Sequence, residues 1–161
     1  MKESERFLID QMLMRLGRWL RLIGLDVANP PEGDDRQLLE LALREKRTLV
    51  TRDKMLTDMC RRAGADFILI ESSHLDDQLR EILKSGINIE INPQRCTTCN
   101  GPLSPLNPED ALDPDLKKQI SHLDGERPLW ICRECRKVYW EGSHWKRIKD
   151  KLEEIWPCPT Q

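Results

Sequence analysis

Residues 1–93 predict an α/β domain built on a parallel sheet, and residues 94–161 predict a small metal-stapled module with a terminal helix. Two observations carry this. Through the first part of the chain, short apolar runs alternate with amphipathic stretches, the pattern of strands joined by crossover helices in a layered α/β/α fold. In the second part come two CxxC pairs, Cys96-Thr97-Thr98-Cys99 and Cys132-Arg133-Glu134-Cys135. Two residues between thiolates let both sulfurs reach one tetrahedral ion, and two such knuckles complete the four-sulfur shell that suits zinc.

Taken in order, Arg6-Phe7-Leu8-Ile9-Asp10 is an apolar run ending in an acid, as a buried parallel strand produces. Met12, Leu13, Leu16, Trp19, Leu20 and Ile23 recur at three and four, which defines an amphipathic helix closed by Gly24. Asp34 or Asp35 caps a second helix carrying Leu38, Leu39, Leu41, Ala42 and Leu43, and Thr48-Leu49-Val50-Thr51 is the strand after it. Asp53 follows that strand, and a helical stretch runs past Met59 and Ala63 to Gly64. Phe67 to Ile70 is the next strand, Leu75 to Leu83 the next helix, and Pro93 ends the domain. Beyond the second knuckle, Val138-Tyr139-Trp140 reads as a strand, and Ser143 caps a terminal helix reaching about Ile155. The gap between the knuckles is long for a zinc ribbon, so the Pro- and Asp-rich insertion Leu103 to Asp124 is expected to loop out.

With 26 basic and 28 acidic residues and a net charge of −2, the whole chain has no electrostatic signature for nucleic acid or membrane. The segment from Arg133 to Lys151 is locally basic, seven to three. No run approaches the ~18 apolar residues of a membrane span. The charged start, Met1 to Arg6, leads into no apolar signal segment, so a soluble, reduced, cytoplasmic chain is expected and a disulfide framework is disfavoured. A redox CxxC works as one pair opening a helix, whereas two pairs favour a metal; an iron–sulfur centre is the other occupant this donor set allows. Four thiolates leave no position open for substrate, so the zinc is structural and any chemistry lies elsewhere. Cys60 is expected as a small buried apolar residue, and Cys158 lies in a Pro-flanked tail.

Ligands of an open parallel sheet bind outside the carboxyl ends of its strands. Asp10, Asp53 and the Asp34-Asp35 pair are all expected on that rim. Converging carboxylates repel unless a cation neutralises them, and hard oxygen donors suit Mg2+ or Mn2+. Such an ion activates water and clamps a phosphodiester, which is nuclease chemistry. Each acid taken singly also suits a helix cap, so composition and spacing leave both readings open.

Phe7 to Asp10, Met12 to Asp26, Asp34 to Leu39 and Leu49 to Asp53, in this order, resemble the Mut-seven C-terminal RNase domain family, a PIN-like nuclease group. In that family a zinc ribbon follows the nuclease domain, and Arg95 to Leu103 with Lys137 to Trp145 look like that ribbon. The resemblance spans residues 6 to about 152. It implies a PIN-like three-layer domain over residues 1–93 and a ribbon with a long insertion and C-terminal helix over 94–161. It also implies RNA cleavage at an acidic Mg2+ or Mn2+ site in which Asp10, Asp35 and Asp53 match the family's acids. Family members often carry another acid two residues after the third aspartate, where this chain has Met55. Asp34 and Glu71 are the candidates for a fourth ligand.

Arg15, Arg18 and Arg21 recur beside the apolar stripe of the first helix, and the first two are candidates to hold an RNA phosphate. The alternative is a solvated helix face. Trp130, Tyr139, Trp140 and Trp145 suit either base stacking or the ribbon's own core. His144 is expected at the surface, since the thiolates fill the zinc shell. The leading expectation is a metal-dependent ribonuclease acting on single-stranded RNA, with no membrane partner. The rivals are an RNA-binding or ribosome-associated protein with a vestigial acidic site, and a toxin-like nuclease held by a protein partner.

Overall fold

The computed structural model describes residues 5–87 and 95–156. Pro93 and Cys158 lie outside the described residues, as does the His144 side chain. Strands β1 (Arg6–Ile9), β2 (Asp26–Ala28), β3 (Thr48–Thr51) and β4 (Phe67–Leu69) form a parallel sheet in the order β2-β1-β3-β4. Phe7 pairs with Val27 on one side and Thr48 on the other, and Val50 pairs with Ile68. The sequence had not marked β2 as a strand, because Asp26-Val27-Ala28 is too short to show a period.

Alternation of side chains across the strands splits the core into two layers. Phe7, Ile9, Val27 and Val50 face α1 (Met14–Leu22) and α4 (Leu75–Lys84), whereas Leu8 and Leu49 face α2 (Asp35–Glu45) and α3 (Lys54–Ala63). Helices therefore cover both faces, as expected. Gly17 explains how closely α1 approaches the sheet: a Cβ there would meet the Ile9 side chain at 3.3 Å. Cys60 is fully buried among Leu38, Leu49 and Leu56.

The second sheet is antiparallel, β5 (Leu103–Pro105), β6 (Leu129–Cys132) and β7 (Val138–Trp140) in that order. The insertion folds instead of looping out. It supplies β5 and α5 (Pro114–Ile120), whose Leu116 is buried against Ile131 and Val138. Pro114 at the first helical turn and the Asp113 carboxylate bonded to the Asp115 amide start that helix. The Pro and Asp content that suggested a loop is thus helix-starting chemistry. The last helix, α6 (Ser143–Ile155), returns to the first sheet, burying Ile148, Leu152 and Ile155 in the layer of α1 and α4.

A polar seam joins the two sheets. Arg21 is 1% exposed, and its Nε donates to the Val27 carbonyl at 2.7 Å, its Nη2 to Asn29 Oδ1 at 2.6 Å and its Nη1 to the Thr97 carbonyl of the first knuckle at 2.9 Å. Asp26 receives Arg47 Nη1 at 2.7 Å and Asn100 Nδ2 at 2.8 Å. Burial alone would raise the Asp26 pKa, but these two bonds bring it below the ordinary carboxylate value. A depressed folded pKa contributes stability that is present above the unfolded value and is lost as pH falls through the folded one.

Arg21→Met strands several buried carbonyl oxygens and should cost on the order of 3 kcal/mol in urea unfolding, whereas Arg18→Gln on the exposed side of α1 should stay within about 0.5 kcal/mol. Below pH 4 the wild-type stability should fall more steeply than that of Asp26→Asn; parallel pH profiles would show that the carboxylate does not hold the seam.

Candidate active site

β1 sends the chain into α1 on one face, and β3 sends it into α3 on the other. Neighbouring strands whose crossovers leave to opposite faces open a crevice at their carboxyl ends. Asp10 follows β1 there and Asp53 lies two residues beyond β3. The two are tied through one side chain: the Thr51 hydroxyl donates to Asp10 Oδ2 at 2.5 Å, and the Asp53 amide donates to Thr51 Oγ1 at 3.0 Å. Asp10 is buried and makes no cap bond to the turn that follows. Asp53 does cap, its Oδ1 accepting from the Met55 amide at 2.7 Å and the Leu56 amide at 3.3 Å.

The neighbouring aspartates part company in role. Asp34 is the N-cap of α2, its Oδ1 accepting from the Arg36 amide at 2.9 Å while Gln37 bonds back to the Asp34 amide. Asp35 is the first helical residue, and its pKa is raised, first by desolvation and then by the charges of Asp53, Asp10 and Asp34. Asp10, Asp34 and Asp35 line one cleft of about 420 Å³, together with Glu32. Gly33 shapes this wall: its φ of 129° excludes ordinary side chains, and a Cβ would strike Gln37 at 2.9 Å. Glu32 was not among the sequence candidates. Its signal lay in its place between β2 and α2, a strand-to-helix loop on the same rim, visible only once β2 is known. Glu71 is exposed beyond the edge strand β4 and does not line this cleft, and Met55 is exposed on α3.

Arg15 and Arg18 are exposed on α1, but they line a groove of about 610 Å³ facing the second sheet, not the acidic cleft. Arg21 leaves that surface altogether. Each three-residue step falls about 60° short of a full helical turn, so by Arg21 the row has rotated from the groove to the buried seam. Trp145 is buried, whereas Tyr139 and Trp140 are half-buried on the groove; Trp130 does not line it.

The four knuckle cysteines bring their sulfurs within 4.8 Å of one another, with Cys96 to Cys135 at 3.5 Å and Cys99 to Cys132 at 3.4 Å. A tetrahedral shell with ~2.3 Å zinc–sulfur bonds has edges of about 3.8 Å, so the donor set fits one such ion. Burial works against the Cys96 thiolate, but the Tyr139 hydroxyl at 3.0 Å and nearby amides hold its pKa down to about 6; Cys99, beside the other sulfurs, is pushed by burial up to about 12. One thiolate is thus favoured, and burial resists further negative charge among these sulfurs, which a bound cation would offset. Among the described residues the aspartates form no cluster this tight. Asp10 and Asp53 instead take hydrogen bonds, from Thr51 and from the first turn of α3.

The model of the Mut7-C RNAse domain family matches residues 5–152, and the chain belongs to that family. No curated protein matches it. Among the described residues, no helix is long and apolar enough to cross a membrane.

A carboxylate whose folded pKa is raised opposes folding above that pKa and ceases to do so once protonated. Asp35→Asn should therefore raise the melting temperature of the metal-free protein at pH 7 and lose this advantage below pH 4. An unchanged or lowered melting temperature at pH 7 would mean that neither desolvation nor the neighbouring acids burden this carboxylate.

Proposed function

We propose, for this member of the Mut7-C RNAse domain family, a metal-dependent ribonuclease in which Asp10, Asp35 and Asp53 hold Mg2+ or Mn2+ and RNA phosphodiester bonds are hydrolysed at the crevice between β1 and β3. The observation that carries the reading is the convergence of these acids on one strand-order reversal, with Asp35 charged against both of the others. Bound there, such an ion lowers the pKa of a water and offsets the charge of the reacting phosphate. The chain's own part is positioning. Thr51 orients the Asp10 carboxylate, and the first turn of α3 fixes Asp53 Oδ1, leaving its second oxygen for the ion. Asp34 keeps α2 in register so that Asp35 stands at its start, and Glu32 adds charge to the same wall. Arg15 and Arg18 hold phosphates of a single-stranded substrate. Zinc on Cys96, Cys99, Cys132 and Cys135 staples the ribbon and takes no part in the hydrolysis.

A second reading, an RNA-binding protein with a vestigial acidic site, draws on the capping bonds of Asp34 and Asp53 and on Met55 where a further acid is common. Two measurements separate the readings. Asp10→Asn should keep the far-ultraviolet circular dichroism of the wild type and lose RNA cleavage by roughly 100-fold or more; full cleavage would refute the nuclease site. Mn2+ at millimolar concentration should raise the melting temperature of the wild type and leave that of Asp35→Asn unmoved, whereas no shift in the wild type favours the vestigial site.

A further inference from the structure

The groove between α1 and the second sheet has about 610 Å³, the size of a small-ligand site. Its lining combines half-buried Trp19, Tyr139 and Trp140 with Arg15, Arg18 and Lys137, and includes no acidic side chain. The three cations are exposed, and none takes part in the ion pairs found among the described residues. Flat rings beside cations that have no carboxylate partner among the described residues suit one class of ligand, an unstacked base attached to phosphate.

The rings are held in advance by the fold. The Tyr139 hydroxyl is tied to Cys96 Sγ at 3.0 Å and to the Thr97 amide at 3.2 Å, while Lys137 Nζ stands 5.5 Å over its ring. Trp140 meets His122 edge-on, with centroids 5.4 Å apart. Rings fixed before binding spare the ligand the entropy of ordering them. Place along the chain also matters. Arg15 is in the first turn of α1, which begins one 3₁₀ turn after Asp10, and the seven residues to Leu22 carry the groove about 10 Å along the helix.

We propose that this groove is a subsite for an unpaired nucleotide of the RNA strand next to the cleavage point, its base stacked on Trp140 and Trp19 and its phosphate held by Arg15 and Arg18. The proposal rests on the ribonuclease reading and adds to it the reason for single-strand selectivity: a paired base cannot leave its own stack to enter. The second sheet is then half of the substrate site, and the first knuckle sets its wall through Thr97 and Tyr139.

The test uses the full zinc-loaded chain carrying Asp10→Asn, without added Mg2+ or Mn2+, and reads the anisotropy of a fluorescein-labelled octauridylate against a labelled duplex of the same length. Octauridylate should bind more tightly than the duplex. Trp140→Ala should weaken it roughly 5- to 150-fold, with Trp140→Phe restoring most of the affinity. Arg15→Gln and Arg18→Gln, at exposed positions on α1, should each lower the slope of log affinity against log salt by about 0.7. Affinity unmoved by Trp140→Ala, unmoved salt slopes, or equal duplex binding would each overturn the subsite. The two readings fail separately: cleavage lost in Asp10→Asn with affinity insensitive to Trp140 removes only the groove, and cleavage retained with affinity sensitive to Trp140 removes only the nuclease site.

Discussion

β1 and β3 lie side by side, yet the helices that follow them leave to opposite faces of the sheet, and the crevice this opens at their carboxyl ends constrains everything else in the molecule. Whatever residues follow those two strands must face one another. Here both are aspartates within two residues of a strand end, and a threonine between them satisfies one oxygen of Asp10 and the amide of Asp53. The start of α2 brings Asp35 into a cleft lined by Asp10. Concentrating negative charge in this way works against folding: desolvation first, and then the charges of Asp53, Asp10 and Asp34, raise the Asp35 pKa. Natural chains tolerate such conflicts where function requires them.

A second seam makes the two sheets interdependent. Arg21 is a buried cation whose partners are carbonyl and amide oxygens from β2, the loop after it and the first knuckle. Burial lowers its pKa, while the charges of Cys96 and Cys99 support its protonated form. A zinc ion held by four thiolates would leave net negative charge there, which the guanidinium would complement. Asn29, bonded both to Arg21 and to the Thr98 carbonyl, stands at the start of the loop that carries Glu32 and Gly33 along the acidic cleft. The ribbon thus braces a wall of the acidic site from outside while α6 packs onto the layer of α1 and α4.

Much of this was legible in the sequence wherever one physical period or one chemical motif dominated. Phe7 to Ile9 and Leu49 to Val50 are uninterrupted apolar runs, α1 shows an unmistakable helical stripe, and two CxxC pairs at knuckle spacing leave little else to expect. Residues at strand ends inherit their place from such signals, which is why Asp10 and Asp53 could be assigned to one rim. Other features depend on context that spacing does not hold. β2 is three residues long, and without it neither Glu32 nor the burial of Arg21 can be inferred. The insertion between the knuckles looked like a loop because helix-starting Asp and Pro also make turns. Arg15 and Arg18 were legible as candidates to hold an RNA phosphate; that they line a groove toward the second sheet is a matter of rotation about an axis that only the packing of α1 fixes.

The central claim is that Asp10, Asp35 and Asp53 share one divalent ion, and anomalous diffraction from crystals soaked in Mn2+ tests it most directly. A single manganese peak should appear in the crevice between β1 and β3, within bonding distance of an oxygen from each of the three residues, and no such peak in an Asp10→Asn crystal. Density that sits elsewhere, or an empty crevice with Asp53 still turned to α3 and Asp10 to Thr51 at saturating Mn2+, would contradict it.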